Sequence, residues 1–306
     1  MPDQNQIGKS EIVEWFKDLQ DSICVSLEGL DESGRFHEDK WNRDGGGGGR
    51  TRVIKGQHIE KGGVNFSEVY GEMPEIMAKK LDIPSGQFLA SGVSIVLHPK
   101  NPWVPIIHMN VRYFEVNDSV WWFGGGIDVT PHYIIDSDAR FFHNYLKQVC
   151  DQLSEKAYAK YKKWADDYFF IPHRNETRGI GGIFFDRLGD RISKDKKEVW
   201  NFVKEVGLAF VPIYSQLFEN NFTKQYTQAN EKWQRVRRGR YVEFNLVNDR
   251  GTKFGLETNG RTESILMSLP PEAHWEYNYE VIQNSLEYRT QNKLRKDVNW
   301  LTYKEA

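Results

Sequence analysis

Residues 93–113 read VSIVLHPKNPWVPIIHMNVRY, and this stretch decides the fold class. Two segments with alternating side chains flank Pro99–Pro105, and this alternation is typical of β-strands that bury one face. Val93, Ile95 and Leu97 would lie on the buried face of the first strand. Because the connection is short, we expect the two strands to pair in antiparallel orientation.

The opposite face of the same two strands carries polar side chains of a particular kind. They are Ser94, His98, His108, Asn110 and Arg112. These residue types donate hydrogen bonds to anions or exchange protons near neutral pH, whereas surface positions elsewhere in the chain favour Lys, Glu and Asp. The pattern therefore indicates a binding face, and the alternative is an ordinary solvent-facing side of an antiparallel sheet.

The rest of the chain extends this sheet and adds helices. Strand-like patterns cover 51–54, 63–70, 88–98, 106–116, 120–123, 182–186, 240–247 and 264–269. Helical spacing covers 10–30, 74–81, 137–168, 194–219 and 276–292. No repeat or domain boundary is evident. We predict an α+β fold in which residues 1–306 form one domain, a large antiparallel β-sheet covered by α-helices.

Composition limits the classes of function. The 306 residues carry a net charge of −2, so no basic field indicates a nucleic-acid partner. Cys24 and Cys150 show neither metal-ligand nor disulfide spacing, which favours a reducing compartment. The N-terminus lacks a signal-peptide core, and no apolar run reaches the roughly 20 residues of a membrane span. We therefore expect a cytoplasmic protein. Its 14% aromatic content fits core packing, or a pocket for a flat apolar ligand.

Two glycine runs allow alternative interpretations. Gly45–Gly49, followed by Arg50, is not a P-loop, because no Gly-Lys-Ser/Thr sequence follows it. It is a flexible linker or a lid that closes over a ligand. Gly124–Gly126 allows close approach of a backbone, and the nearby Asp128 is either a turn residue or a placed carboxylate.

Basic residues and histidines form two further sets. Seven cations lie near glycines or strand ends and could bind a ligand with several carboxylates, or each could be an isolated surface charge: Arg50, Arg52, Lys55, Arg112, Arg174, Arg178 and Arg261. Four histidines could meet in space: His98, His108, His143 and His173. Their spacing matches no compact metal motif, so the sequence leaves a metal site open.

Taken in order, eight segments resemble the oxygen-dependent coproporphyrinogen oxidases. These are Gly45–Arg50, Glu60–Ser67, Ser91–Pro99, His108–Phe114, Trp121–Pro131, His173–Gly179, Arg240–Leu246 and Gly255–Pro271. The resemblance implies an antiparallel sheet between layers of helices, and a homodimer with residues 241–276 as the dimerisation region. It also implies oxidative decarboxylation of two propionates of coproporphyrinogen III to vinyl groups, giving protoporphyrinogen IX, CO2 and H2O2. O2 would be the oxidant, with no organic cofactor.

The resemblance also assigns roles to residues. It implies substrate binding by Ser94, Asn110, Val111, Arg112, Asn259, Gly260 and Arg261. His108 would be the proton donor, Asp128 would face the pyrrole nitrogens, and Arg112 and Arg261 would hold propionates. His98, His108, His143 and His173 match histidines that are assigned to a divalent metal in bacterial members. Asn259 departs from the glycine of those members. The competing hypotheses are a non-catalytic tetrapyrrole carrier and a metal-dependent enzyme built on the four histidines.

Overall fold

A computed structural model describes residues 7–73, 75–189, 195–257 and 260–303. In chain order its strands are β1 (Phe36–Asn42), β2 (Gly47–Ile54), β3 (Ile59–Glu72), β4 (Gln87–Pro99), β5 (Ile106–Val116), β6 (Val120–Thr130), β7 (Phe170–Ile171), β8 (Glu176–Thr177) and β9 (Gly182–Gly189). Seven of them form one sheet in the order β1-β2-β3-β4-β5-β6-β9, and every neighbouring pair is antiparallel. β7 and β8 form a separate two-stranded ladder.

The helices are α1 (Lys9–Asp31), α2 (Glu75–Leu81), α3 (Asp136–Asp151), α4 (Ala157–Tyr168), α5 (Lys196–Leu208), α6 (Phe210–Glu219), α7 (Gln228–Glu243), α8 (Arg250–Glu257), α9 (Thr262–Leu266) and α10 (Leu286–Lys293). A π-helical turn, Phe244–Asn248, follows α7 directly. Within the described ranges, none of these helices combines the length and the apolar character needed to cross a membrane.

The main core lies on one face of the sheet, beneath α1, α3, α4, α5 and α6. Alternation along β4 and β5 places the side chains of Val93, Ile95 and Leu97, and of Ile107 and Met109, in this core, where each is fully buried. The apolar alternation of these strands is therefore explained by burial against helices. The predicted α+β fold and the large antiparallel sheet are confirmed.

The second face of the sheet is covered only in part, by α2 and by the segment from α7 to α9. Tyr241 of α7 packs edge-on against His98, with ring centroids 5.2 Å apart. Asn65 of β3 donates a hydrogen bond to the backbone oxygen of Ser264 in α9, at 2.9 Å. Met267 lies so close to Gly63 that a Cβ there would meet its sulfur at 1.6 Å. The sheet is thus sandwiched between helical layers, with a gap over the middle strands on this side, where the side chains of Ser94, Asn110 and Arg112 stay partly exposed.

Several predicted elements are wrong. The segment 240–247 continues α7 and its π-helical turn, and 264–269 contains the end of α9, so neither is a strand. The β-branched and aromatic residues of 240–247 favour a strand, but Tyr241 and Val242 extend the buried face of α7, and tertiary packing overrides local propensity. Of the predicted helix 276–292, only the part from Leu286 is helical.

Two predicted long helices are each divided. The helix predicted over 137–168 ends at Asp151 and restarts at Ala157. The helix predicted over 194–219 breaks at Ala209, three residues before Pro212, because a proline cannot donate the hydrogen bond that a continuous helix requires there. The sequence patterns do not predict strand β1.

The Gly45–Gly49 run is part of a hairpin and is neither an unstructured linker nor a free loop. Gly46 and Gly47 have positive φ values of 108° and 82°, which only glycine adopts readily. Gly47, Gly48 and Gly49 belong to β2 and pair with β3. Gly48 and Gly49 also pair with β1. The glycines therefore serve the turn and the close packing of the strands.

Candidate active site

Two of the polar residues predicted from alternation, Ser94 and Asn110, lie in one row across the sheet. Ser94 of β4 pairs with Asn110 of β5, which pairs with Gly126 of β6. On the other side, Ser94 pairs with Asn65, which in turn pairs with Thr51. Residues paired directly across antiparallel strands project to the same face. These side chains therefore form a polar floor in the gap between the helices.

His108 and Asp128 occupy the neighbouring row and are also paired across β5 and β6. The Nδ1 atom of His108 lies 2.8 Å from Oδ1 of Asp128. His108 exposes 24% of its side chain, whereas Asp128 exposes 1%. With Nδ1 held by the carboxylate, Nε2 is the imidazole nitrogen that can meet a molecule in the gap.

Arg178, in the loop after β8, neutralises Asp128 from the other side. Its Nη2 donates to both carboxylate oxygens, at 2.8 and 2.7 Å, and its Nη1 donates to Asn245 at 2.8 Å. Its guanidinium carbon lies 4.3 Å from the ring centroid of Phe169 and 4.7 Å from those of Tyr241 and Phe244. This buried cation is held by an ion pair and by aromatic faces, so its position is fixed.

The electrostatics of this group keep Asp128 ionised. Burial alone would raise the pKa of Asp128, but the Arg178 charge and the His108 hydrogen bond outweigh burial and hold its pKa below the usual value. His98, in the same face, differs: complete burial lowers its pKa to about 3, so this imidazole is neutral. Its Nε2 lies 2.8 Å from the backbone oxygen of Ser268.

Arg112 lies in the row on the far side of the polar floor. Its Nη1 donates to Oδ1 of Asn110 at 2.7 Å, and its Nη2 donates to Oδ1 of Asp186 on β9 at 2.8 Å. A Cβ at Gly124 would come within 2.7 Å of the guanidinium, so the missing side chain at this position lets Arg112 lie on β6. Arg112 exposes 37% of its side chain and can still reach a carboxylate in the gap.

Arg261 lies at the opposite end of the gap, just before α9. It forms an ion pair with Asp39 of β1 and donates to Oγ of Ser264 at 3.3 Å. Gly260 precedes it, and Asn259 lies outside the described residues. Val111, by contrast, is fully buried in the core on the other face. Its side chain is therefore directed away from the floor, and only its backbone could contact a substrate.

The structure does not bring the four histidines together. His143 is buried on the core side, where its nitrogens lie 3.0 Å from the Tyr158 hydroxyl and 3.0 Å from the Ile180 backbone oxygen. His173 lies on an exposed loop with its Nε2 2.9 Å from Glu243. His98 and His108 have separate partners. In the described part of the chain, no group of three or more His, Cys, Asp or Glu side chains could hold a metal ion.

Sequence reasoning missed Asn65, Asp186 and Asn245 as members or supports of the site. It named Arg178 only as one of several cations. Extending the alternation to 182–186 would have placed Phe184 and Asp186 on the site face with Gly126, because these strands are paired. Asn245 lies in the segment Arg240–Leu246 of the family resemblance, but no sequence pattern indicates its contact with Arg178, which depends on a π-helical turn.

Comparison with known proteins identifies the family of this chain. The family model for coproporphyrinogen III oxidase matches residues 11–300. The oxygen-dependent coproporphyrinogen-III oxidases of Prochlorococcus marinus strains MIT 9301 and NATL1A are each 46% identical to this chain over 94% of its length, and the matches cover 91% and 89% of those proteins. The chain belongs to the coproporphyrinogen III oxidase family.

A third relative extends the comparison. The oxygen-dependent coproporphyrinogen-III oxidase of Prochlorococcus marinus strain MIT 9312 is 46% identical over 94% of this chain and 91% of that protein. The predicted family is thus confirmed over nearly the whole length. In this member of the family, Arg112, Arg261 and the His108–Asp128 pair border one gap on one face of the sheet.

Proposed function

We propose that this chain is an oxygen-dependent coproporphyrinogen-III oxidase that acts in porphyrin biosynthesis. It converts two propionates of coproporphyrinogen III to vinyl groups and gives protoporphyrinogen IX. The observation that carries this conclusion is the family match from residue 11 to residue 300. The polar floor with an arginine at each end gives that match a chemical rationale, because guanidinium groups bind carboxylates.

Each of the two steps balances with O2 as the only oxidant. The propionate carbon next to the pyrrole loses a hydrogen with its electron pair, and the carboxylate leaves as CO2. The electron pair of the broken C–C bond forms the vinyl double bond. O2 takes up the hydride equivalent and one proton, which gives H2O2. The electron-rich pyrrole stabilises the positive charge that the lost hydride leaves on this carbon, so no organic cofactor is needed for this stoichiometry.

Arg112 and Arg261 hold propionates in this proposal. Each guanidinium is already anchored by one protein carboxylate, Asp186 for Arg112 and Asp39 for Arg261. Anchoring lowers the entropy lost when a propionate binds. Ser94 and Asn110 lie between them and supply hydrogen-bonding groups along the floor. Fixing the macrocycle in this way places one reacting propionate next to O2 and limits side reactions.

His108 acts as the proton-transfer residue. Because Asp128 accepts from Nδ1, His108 presents Nε2 as a base that takes the pyrrole N–H proton and returns it after CO2 leaves. Asp128 is buried and bonded through both oxygens, so it acts through His108 as a positioning residue. This role differs from the predicted direct contact between Asp128 and the pyrrole nitrogens.

A metal has no role in this mechanism. The family resemblance assigns four histidines to a divalent cation, but here their nitrogens bond to separate partners on both sides of the sheet. These residues do not form a donor set that fits one ion. All steps above therefore use only side chains of the protein, the substrate and O2.

We also propose that the enzyme is a homodimer that uses residues 241–276. In support, Leu246, Val247 and Leu256 in this segment expose 45%, 52% and 42% of their surface. Burial of such residues against a second copy would stabilise a dimer. Light scattering should give twice the chain mass, and a monomeric mass at micromolar concentration would contradict the proposal.

A cytoplasmic location completes the proposal. Cys24 and Cys150 are both buried free thiols. Burial raises the pKa of each to about 12, so neither is a reactive thiolate at neutral pH. Unpaired cysteines are usual in a reducing compartment. Immunolocalisation or cell fractionation would test this location. Recovery of the protein in the fraction of an oxidising compartment would contradict it.

Product analysis tests the enzyme proposal against the tetrapyrrole-carrier alternative. Purified protein is incubated aerobically with coproporphyrinogen III, the products are oxidised to porphyrins, and these are separated by chromatography. We expect protoporphyrin to accumulate in air and not under anaerobic conditions. A carrier would bind the substrate and leave all four propionates intact in both samples, which would overturn the proposal.

A further inference from the structure

One row of the site face has almost no side chains. It runs Trp41, Gly49, Ser67, Gly92 and Arg112 through the directly paired strands β1 to β5. Only the first and last members, Trp41 and Arg112, are large. The three residues between them, Gly49, Ser67 and Gly92, form a shallow strip that we call the trough.

The trough separates an apolar bank from the polar floor. The next row on one side of the trough lies two residues further along each strand. It consists of Val69, Ala90 and Phe114, which pack with α2. On the other side lie Asn65, Ser94 and Asn110. A strip with one apolar and one polar border fits a molecule that carries alkyl groups and carboxylates on an aromatic ring system.

The indole of Trp41 lies on the sheet at one end of the trough. A Cβ on Gly49 would lie 2.5 Å from Cζ2 and 2.8 Å from Cε2 of Trp41, so the ring rests against the bare backbone of β2. Trp41 and Gly49 are a cross-strand pair. The same Cβ would also lie 2.5 Å from the backbone oxygen of Phe66, so the ring and the neighbouring strand together explain the last glycine of the run Gly45–Gly49.

We propose that Trp41 binds the substrate, with its indole packed against a pyrrole ring while Arg112 holds a propionate at the other end of the trough. This inference rests on the proposed function, because it names the part of coproporphyrinogen III that Trp41 contacts. Indole and pyrrole rings attract through apolar burial and ring stacking. Trp41 thus determines affinity and orientation and takes no part in proton transfer.

Steady-state kinetics with coproporphyrinogen III test the role of Trp41. The variant Trp41→Ala should raise KM by about 2- to 10-fold, which corresponds to the loss of one aromatic contact, with kcat changed less than about twofold. Gly49→Ala should raise KM in the same direction because its Cβ collides with the indole, and it should also lower stability because this Cβ meets the backbone oxygen of Phe66. Trp41→Phe keeps a ring and should restore KM to within about twofold of the wild type.

A matched control separates binding from folding. Trp15 is also partly buried, but it packs with Trp200 in α5 on the core side of the sheet. Trp15→Phe should leave KM unchanged, and thermal unfolding is recorded for every variant. Equilibrium binding of coproporphyrin III, which has the same four propionates, should weaken in parallel with KM. An unchanged KM and unchanged porphyrin affinity in a folded Trp41→Ala would overturn the inference, whereas an inactive wild type would overturn the proposed function.

Discussion

Asp128 and His108 are the residues on which the proposed proton transfer depends. The single hydrogen bond between them fixes the imidazole, and Arg178 keeps the carboxylate charged. Because the pKa of Asp128 is lowered, the carboxylate stays ionised across the neutral range. Any change of activity with pH near neutrality must therefore come from another group.

His108→Gln and Asp128→Asn should act as a unit. Each should lower kcat by about 100-fold or more, which is typical of a lost general acid–base group. The double variant should be little slower than His108→Gln alone, because Asp128 works through His108. Kinetics are measured below the unfolding temperature of each variant, since Asp128→Asn leaves Arg178 as an unpaired buried charge that costs about 3–5 kcal/mol. Multiplicative losses would contradict the positioning role.

The proposed role of Arg112 depends on its planar guanidinium group, whose two terminal nitrogens can bond to different partners, and lysine lacks such a group. Its two terminal nitrogens bond to Asn110 and Asp186, and one side chain of lysine cannot satisfy both and also bind a propionate. Arg112→Lys should raise KM for coproporphyrinogen III about 10-fold, the effect of about one lost charge-assisted hydrogen bond. The exposed Arg295→Lys serves as control. An unchanged KM for Arg112→Lys would show that this arginine does not hold a propionate.

The β1–β2 hairpin contains a glycine whose backbone conformation and close packing exclude a side chain. Gly47 has φ of 82°, and a Cβ there would lie 2.1 Å from the backbone oxygen of Glu68. Gly47→Ala should lower the free energy of unfolding by at least about 1–2 kcal/mol. Gly29→Ala is the matched control, because this helical position has open space around it and gains helix propensity. Urea unfolding compares the two, and equal stabilities would contradict the strain argument.

Elements with a clear alternating pattern could be predicted from sequence, and elements defined by tertiary packing could not. The bounds predicted for β5, 106–116, are those observed, and β4 differs by one residue at each end. The strand predicted at 120–123 ends too early, because Gly124–Gly126 resemble a loop although they extend β6. The strand predicted at 240–247 is wrong because Tyr241 and Val242 serve the buried face of α7.

For the candidate site, alternation placed Ser94, Asn110 and His108 on one face, and the structure agrees. The contacts that distant residues make with the site were beyond sequence reasoning. Arg178 and Asp186 reach the site from the loop after β8 and from the edge strand β9, which only the folded sheet brings next to β5 and β6. Val111 was assigned to the site by the family resemblance alone. Its side chain is buried in the core on the other face of the sheet.

The whole molecule should lose stability in mild acid. Burial lowers the pKa of both His98 and His143 to about 3, and it lowers that of His132 well below the usual range. Below the pKa of about 6.5 in the unfolded chain, the unfolded state binds more protons than the folded state. Each of these histidines should then remove about 1.4 kcal/mol of stability per pH unit as the pH falls.

Urea unfolding between pH 7.5 and pH 5 measures this effect. The transition midpoint should be nearly constant above pH 7 and fall steadily below pH 6.5. The variant His143→Gln should be less stable at pH 7.5, because it loses hydrogen bonds to Tyr158 and Ile180, but should fall less steeply with pH. A midpoint that does not change between pH 7 and pH 5 would show that the buried histidines are not kept neutral by the fold.

The stoichiometry of the reaction is the most direct test of the central claim that this member of the coproporphyrinogen III oxidase family uses O2 alone to make two vinyl groups. O2 uptake, CO2 release and H2O2 formation are measured together with protoporphyrinogen formed, and the rate of spontaneous porphyrinogen oxidation is subtracted. The reaction proposed above requires two molecules of each gas consumed or released, and two of H2O2, for each product. Vinyl formation without matching O2 uptake, or O2 uptake without CO2 release, would contradict the account.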